Sequence, residues 1–260
     1  MLGSMANPSI LLSWRNSVTR KNAFAALAVA SGLLFIGSST RAADVQAPQP
    51  FTATYTVEWK GMSAGISTLE LARDDSGGYI YRSKNLARGI FRVAFPDAIT
   101  QTSTFDVKGG TVIPRKYESD DGSKKTDRDV SLTFDWDAKR ARGTAEDKPV
   151  DAPVKPGTQD ALSVQMQLMM ELAAGKSPTS FWLIDKNEAK EYQYTREKTE
   201  SVDTPLGKLD TVVYKSQRTG SDRFMRFWLA PSLGYVPVKA ERRRGDKLDF
   251  GLKIKDLKKS

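Results

Sequence analysis

The side chains that most often carry out catalysis are missing from this sequence. Its 260 residues include no histidine and no cysteine. Serine–histidine and cysteine–histidine nucleophiles therefore cannot form, and neither can the usual zinc sites. Carboxylate pairs are the remaining route to acid–base chemistry.

The carboxylates themselves favour a structural role. Asp74/Asp75 and Asp120/Asp121 stand beside glycine and serine, where aspartate is common because it hydrogen-bonds turn backbone. A further acidic set lacks the glycine-centred loop of a calcium site: Asp127, Asp129, Asp135 and Asp137. No glycine-rich phosphate loop lies between a strand and a helix. We therefore predict no catalytic residue, no metal and no cofactor, and a protein that is not an enzyme.

The first 43 residues have the pattern of a secretory signal peptide. A basic region is followed by the apolar run Ala23–Ile36 and then by small and polar residues up to Ala43. The 14-residue run is shorter than the roughly 20 residues that span a bilayer, so we expect cleavage, after Ala42 or Ala43. Without cysteine the chain cannot be a lipoprotein. We therefore expect a soluble bacterial periplasmic protein, residues 44–260, with no transmembrane segment.

The charge balance gives little support to nucleic-acid binding. Of 40 basic residues, four lie in the predicted leader, so 36 remain against 31 acidic residues, a net charge of +5. That is an ordinary soluble surface, and we expect no nucleic-acid partner. The basic run Arg242–Arg244 and the lysine-rich tail could meet an anionic envelope surface, but charge runs are usually solvated, and we favour that interpretation.

The remaining sequence predicts a mainly β fold. Phe51–Lys60 alternates apolar and polar residues, as a strand with one buried face does. Similar segments recur at about ten-residue spacing, which predicts roughly a dozen antiparallel strands. Pro149–Gly157 contains three prolines and is expected to be a linker without regular structure. A single domain is the simpler organisation, and two domains divided at this linker are the alternative.

One segment, Asp160–Gly175, predicts a helix. Asp160 can cap its first N–H groups, and Gly175 can end it in a left-handed conformation. Apolar residues cover more than one of its faces, and such helices are usually buried. We therefore predict an antiparallel β-roll or open barrel wrapped on one central α-helix near residues 160–174.

A helix beside an incompletely closed sheet can leave room for an apolar ligand. The residues expected to line such a cavity come from the helix and from an apolar connection without strand periodicity: Phe91, Phe95, Met166, Met169 and Met170. The methionines have an alternative role, because methionine often fills gaps in a core.

Five segments resemble an exported bacterial family known as domain of unknown function 3108. They are Tyr55–Gly65, Gln159–Ser163, Thr204–Leu209, Phe227–Pro231 and Tyr235–Val238. The resemblance implies a periplasmic, mostly antiparallel β-roll or open barrel around a helix, similar in architecture to periplasmic lipoprotein carriers and envelope-integrity proteins. It implies no reaction, and its residues are structural: Gly61, Gly65 and Gly207 suit turns, and Trp228 suits a core.

Three hypotheses of function follow. The first is a non-enzymatic periplasmic protein that binds or carries an apolar or amphiphilic envelope component such as a lipid. The second is a structural protein that supports envelope integrity through a protein partner, by way of a strand edge left open near Pro237. The third and least favoured is a glycan hydrolase, which needs two carboxylates roughly 5–10 Å apart in a cleft.

Overall fold

The computed structural model describes residues 47–93 and 95–259. Fourteen strands form one antiparallel sheet. They are β1 (Phe51–Trp59), β2 (Met62–Arg73), β3 (Tyr79–Ala87), β4 (Ile99–Lys108), β5 (Thr111–Asp120), β6 (Val130–Asp135), β7 (Arg140–Ala145), β8 (Lys148–Pro153), β9 (Ser180–Asp185), β10 (Glu188–Thr204), β11 (Gly207–Arg218), β12 (Arg223–Ala230), β13 (Val236–Arg244) and β14 (Lys247–Lys259). The α-helix α1 (Ser163–Ala173) lies between β8 and β9 in the chain, and a 3₁₀ segment, Gly89–Val93, lies between β3 and β4.

The strand order makes a nearly closed barrel. Strands β1 to β8 follow one another as hairpins, and so do β9 to β14. The two series join where β1 pairs with β14, from Phe51 opposite Lys259 to Trp59 opposite Phe250. The expected β-roll or open barrel around one helix is therefore confirmed, with β8 and β9 as the two edges of the sheet.

The gap between these edges is bridged by short contacts. Gln159 donates its N–H to the Trp182 carbonyl at 2.8 Å and accepts from the Ile184 N–H at 3.0 Å, so the chain before α1 pairs briefly with β9. Lys186 Nζ lies 2.8 Å from Glu146 Oε2, which links the β9–β10 turn to the β7–β8 turn.

The helix begins through reciprocal capping at Asp160. Its Oδ1 accepts the N–H groups of Leu162 at 2.8 Å and Ser163 at 2.7 Å, while the Asp160 N–H donates to Ser163 Oγ at 3.0 Å. The regular helix starts three residues later than the predicted segment. At the other end Gly175 has φ +73°, and the Lys176 N–H reaches the Glu171 carbonyl at 2.9 Å, which is the expected left-handed termination.

Both faces of α1 are buried, because each half of the sheet covers one. Met166, Met169 and Met170 pack in a cluster made mainly by β1 to β8. Val164, Leu168 and Leu172 pack against β9 to β12. Gln159 and Gln167 fix the helix to β5 through the backbone of Val112, at 2.8 and 2.7 Å.

Two boundaries differ from the sequence-based expectation. The first half of Pro149–Gly157 is not irregular, since β8 runs through Pro149 and Pro153. As an edge strand it pairs only with β7, so the missing proline donors are tolerated there. The sequence pattern predicts two strands at Glu191–Thr199 and Glu200–Thr204, but both belong to the single strand β10, which continues through a bulge between Arg196 and Lys198.

Two other expectations about strands also need correction. Gly65 lies inside β2 rather than in a turn, and a Cβ there would collide with the Leu86 carbonyl oxygen on β3. Pro237 lies in β13, an inner strand between β12 and β14, so it is not on an edge of the sheet.

The predicted leader, residues 1–43, lies outside the described residues. Within residues 47–93 and 95–259, no helix combines the length and apolar character that a membrane span requires.

Candidate functional site

An apolar cavity lies between the two halves of the sheet. Its volume is about 160 Å³, and its walls come from β1 to β4 on one side and from β12 to β14 on the other. Leu162, just before α1, and Gln165, in its first turn, also line the cavity. The helix therefore fills one part of the barrel interior and leaves the rest open.

The register of the strands arranges the lining in layers. Directly paired residues point to the same side of an antiparallel sheet. Trp59 pairs with Phe250, Phe250 with Arg242, and Arg242 with Met225, and all four line the cavity. We call these four residues the upper layer.

Three further layers follow at two-residue steps along the strands. The second is Ala87, Gly65, Val57, Leu252, Ala240 and Phe227. The third is Ile99, Asn85, Ser67 and Tyr55, and the fourth is Gln101, Ser83 and Leu69. Three such steps extend about 20 Å along a strand. Because the cavity volume is small for that length, the cavity is a narrow slot.

The upper layer lies at the end of the barrel that carries its exposed apolar side chains. Because β2 and β3 are antiparallel, the start of β2, the end of β3 and the 3₁₀ segment share one end. Among the described residues, the large apolar side chains that are exposed all lie there, and we call them the rim patch: Met62, Leu86, Ile90 and Val93. Leu86 also lines the cavity, so the rim patch is continuous with the lining.

Arg242 is the charged residue of the lining. Its side chain is buried, with 6% of its surface exposed. The guanidinium carbon lies 5.9 Å from the ring centre of Trp59 and 6.0 Å from that of Phe250, within the range of a cation–π interaction. Burial lowers the pKa of Arg242 and the charge of Asp249 opposes that shift, yet an arginine stays protonated at physiological pH.

The uncharged polar groups lie deeper. Gln101 is 5% exposed and donates to the Tyr117 hydroxyl at 2.9 Å. Ser67 is 1% exposed, and its hydroxyl has no hydrogen-bond partner among the described residues. The slot thus has a cation at its upper layer and neutral polar groups in its lower layers.

The structure divides the five residues expected to line a ligand cavity. Phe91 and Phe95 line it. Met166, Met169 and Met170 lie in the buried cluster between α1 and the sheet, and they are not part of the lining. Ligand binding by any of the five stays a prediction.

The sequence-based expectation missed Arg242, although a signal was present. Val236, Val238 and Ala240 alternate along β13 and are buried, and the same alternation places Arg242 on the inner face. The prediction that the run Arg242–Arg244 is exposed to solvent is therefore wrong for Arg242. It holds better for Arg244, which is exposed.

A separate acidic cluster lies outside the cavity lining. Carboxylate oxygens of Asp120, Asp121 and Asp129 lie within 4.8 Å of one another. Turn N–H groups already bind these carboxylates, and Arg128 Nε lies 2.8 Å from Asp121 Oδ2. Burial first, and then the neighbouring carboxylates, raise the pKa of Asp129. These contacts agree with the structural role expected for aspartate in turns.

Two buried carboxylates connect elements of the barrel. Asp160 accepts from the Ser103 hydroxyl at 2.6 Å, which ties the start of α1 to β4. Asp185 accepts from the Tyr192 hydroxyl and from Lys190 Nζ, both at 3.1 Å. Burial raises the pKa of both carboxyl groups. Neither lines the cavity.

Comparison with known proteins agrees with this fold. The model of a protein family of unknown function, DUF3108, matches residues 54–252, which confirms the resemblance. A β-barrel-like protein of the DUF1849 family from Brucella abortus is 14% identical, with a TM-score of 0.54 over 82% of this chain and 98% of that chain. MucB in complex with MucA(peri) is 10% identical, with a TM-score of 0.36 over 85% of this chain and 53% of MucB. Among curated proteins, none matches this chain.

Proposed function

Because the chain belongs to the DUF3108 family of proteins of unknown function, we propose its function from its own cavity: it binds a slender apolar or amphiphilic component of the cell envelope, without catalysing a reaction. The observation that carries this proposal is the layered slot between β1–β4 and β12–β14. Ligand sites are typically concave and mostly apolar, with a few polar groups in place.

The shape of the slot favours a chain over a bulky ligand. About 160 Å³ is below the roughly 300–1,000 Å³ of pockets that enclose drug-sized molecules. A single acyl chain needs little width and can extend through several layers while its end emerges at the rim. The rim patch supports this, because exposed apolar side chains often mark a surface that contacts an apolar partner.

The chemistry of the lining supports binding over hydrolysis. Among the described residues that line the cavity, none is aspartate or glutamate. A glycoside hydrolase of the usual type places two carboxyl groups on either side of the scissile bond. We therefore place the carboxylate-dependent hydrolase behind the binding protein.

A periplasmic location is part of the proposal. It is supported by the leader pattern of residues 1–43. Action through an envelope protein partner by strand addition has less support. The edge strand β8 carries Pro149 and Pro153, and proline removes N–H donors from an edge. Gln159 already pairs with the other edge strand, β9.

The binding proposal is tested on protein purified from its own host after export. Native mass spectrometry followed by lipid extraction should detect a co-purified amphiphile, or binding of an added acylated compound. Ala87→Trp should abolish that binding, because Ala87 is a half-buried residue of the second layer. Ala189→Trp is the matched control, since Ala189 is half-buried on β10 and outside the lining.

Protein that is empty and does not take up any added amphiphile would contradict the proposal. Equal binding by Ala87→Trp and the unmodified chain, with both folded, would place the ligand elsewhere.

A further inference from the structure

We propose that Arg242 binds the anionic head group of the ligand, a carboxylate or a phosphate, while the chain of the ligand occupies the lower layers of the slot. This inference rests on the proposed function and narrows it to anionic amphiphiles.

The first step is the position of the charge. Arg242 is the only charged side chain among the described residues that line the cavity. It belongs to the upper layer, next to the rim, and the layers below it are apolar or neutral. A ligand with one charged end and one apolar chain matches that order from the rim inward.

The second step is the environment of the guanidinium. A buried cation near aromatic rings has little water around it, and charge interactions strengthen where water is excluded. Phe250 lies beside it on β14, and Trp59 lies one strand further along the sheet, on β1. In this setting, the binding of an anion is more favourable than it would be at a solvated arginine such as Arg244.

The third step is the capacity of the group. A guanidinium carries five N–H donors in a planar fork that matches carboxylate and phosphate geometry. Paired, charge-assisted hydrogen bonds of this kind are stronger than neutral ones.

The test compares ligands that share a chain and differ in the head group. Dodecanoate, dodecyl phosphate and dodecanol are titrated into the exported protein below their aggregation concentrations, with binding followed by calorimetry. We expect the two anions to bind about tenfold or more tightly than the alcohol, as one or two charge-assisted hydrogen bonds would give. Acetate and inorganic phosphate, which lack a chain, are expected not to compete at matched concentrations.

Variants assign the preference to one side chain. Arg242→Met should remove the advantage of the two anions over dodecanol, because it deletes the charge and the N–H donors. Arg242→Lys should keep part of the advantage, since it retains the charge but not the fork. Arg244→Met, on the same strand but exposed, is the control and should behave as the unmodified chain does.

The outcomes separate the two proposals. Equal affinity for dodecanol and dodecanoate in the unmodified protein, or an anion preference that survives Arg242→Met, would overturn the head-group assignment and leave the binding function intact. Competition by acetate or phosphate alone would show a site for free anions and would also overturn it. Binding of none of the three dodecyl ligands would refute both proposals. If Arg242→Met does not fold, Arg242→Lys and the comparison of ligands still decide the matter.

Discussion

Met166 and Arg242 both lie inside the barrel, but they have different surroundings. Met166 is 1% exposed and packs in the cluster between α1 and the sheet. Arg242 faces the slot that α1 does not fill. The interior therefore has two parts, a packed core and a cavity. Met166 belongs to the core, and Arg242 belongs to the cavity.

The core assignment of Met166 is tested by Met166→Asp. The substitution places a charge where the surroundings are apolar, and an unpaired buried charge is strongly unfavourable. We expect the free energy of unfolding to fall by about 3 kcal/mol or more, or the chain not to fold. Urea denaturation followed by circular dichroism measures the change. Met62→Asp is the control because Met62 is 51% exposed; equal stability of the two variants would show that α1 is not buried as described.

Asp160 gives a prediction about pH. Burial raises its pKa above 3.8, although hydrogen bonds from Ser103, Ser163 and Leu162 oppose the shift. The folded state then holds the proton more tightly than the unfolded state. The stability that this residue contributes is therefore greatest below the ordinary carboxyl pKa and is lost as pH rises through the folded value. Asp160→Asn stays neutral, so its stability relative to the unmodified chain should increase as pH rises from about 4 to 7.

The measurement is urea denaturation of both proteins across that range, with Asp137→Asn as a control at an exposed turn. A difference that stays constant with pH, or one that changes in the opposite direction, would show that Asp160 does not titrate as its burial requires.

At the scale of elements, the close contact of β2 with β3 shapes the second layer of the slot. Gly65 pairs with Ala87, and a Cβ on Gly65 would overlap the Leu86 carbonyl oxygen. Gly65→Ala should therefore force the two strands apart and cost about 1–3 kcal/mol of stability. Gly251→Ala is a matched control in β14, since its nearest atom would be Glu58 Oε2 at 3.6 Å. Thermal unfolding of the pair tests this, and equal melting temperatures would contradict it.

The elements also show what the sequence could and could not predict. The alternation of β1 predicted its bounds closely, because one of its faces is buried and the other is not. β8 was missed because its prolines are the usual signal of a linker, and an edge strand tolerates them. The faces of α1 were expected to be buried, but apolar residues on a helix do not tell which of them adjoin a cavity. The layers depend on strand register, which bulges such as that between Val57 and Glu58 shift.

For the whole molecule, the pairing of β1 with β14 determines the site. That pairing joins the two series of hairpins and makes β1–β4 and β12–β14 one continuous run of strands, so the slot has walls from both ends of the chain. Trp59 and Phe250, nearly 200 residues apart in sequence, become neighbours in the upper layer through it. No local sequence pattern could place them together, because the contact exists only once the barrel has formed.

The measurement that tests the binding proposal most directly is quenching of Trp59 fluorescence by a fatty acid brominated along its chain. Trp59 lines the slot, whereas Trp136 does not. We predict saturable quenching by the brominated acid, none by the unbrominated acid, loss of the quenching in Trp59→Phe and its retention in Trp136→Phe. Absence of saturable quenching, or quenching that persists unchanged in Trp59→Phe, would contradict a ligand chain inside this barrel.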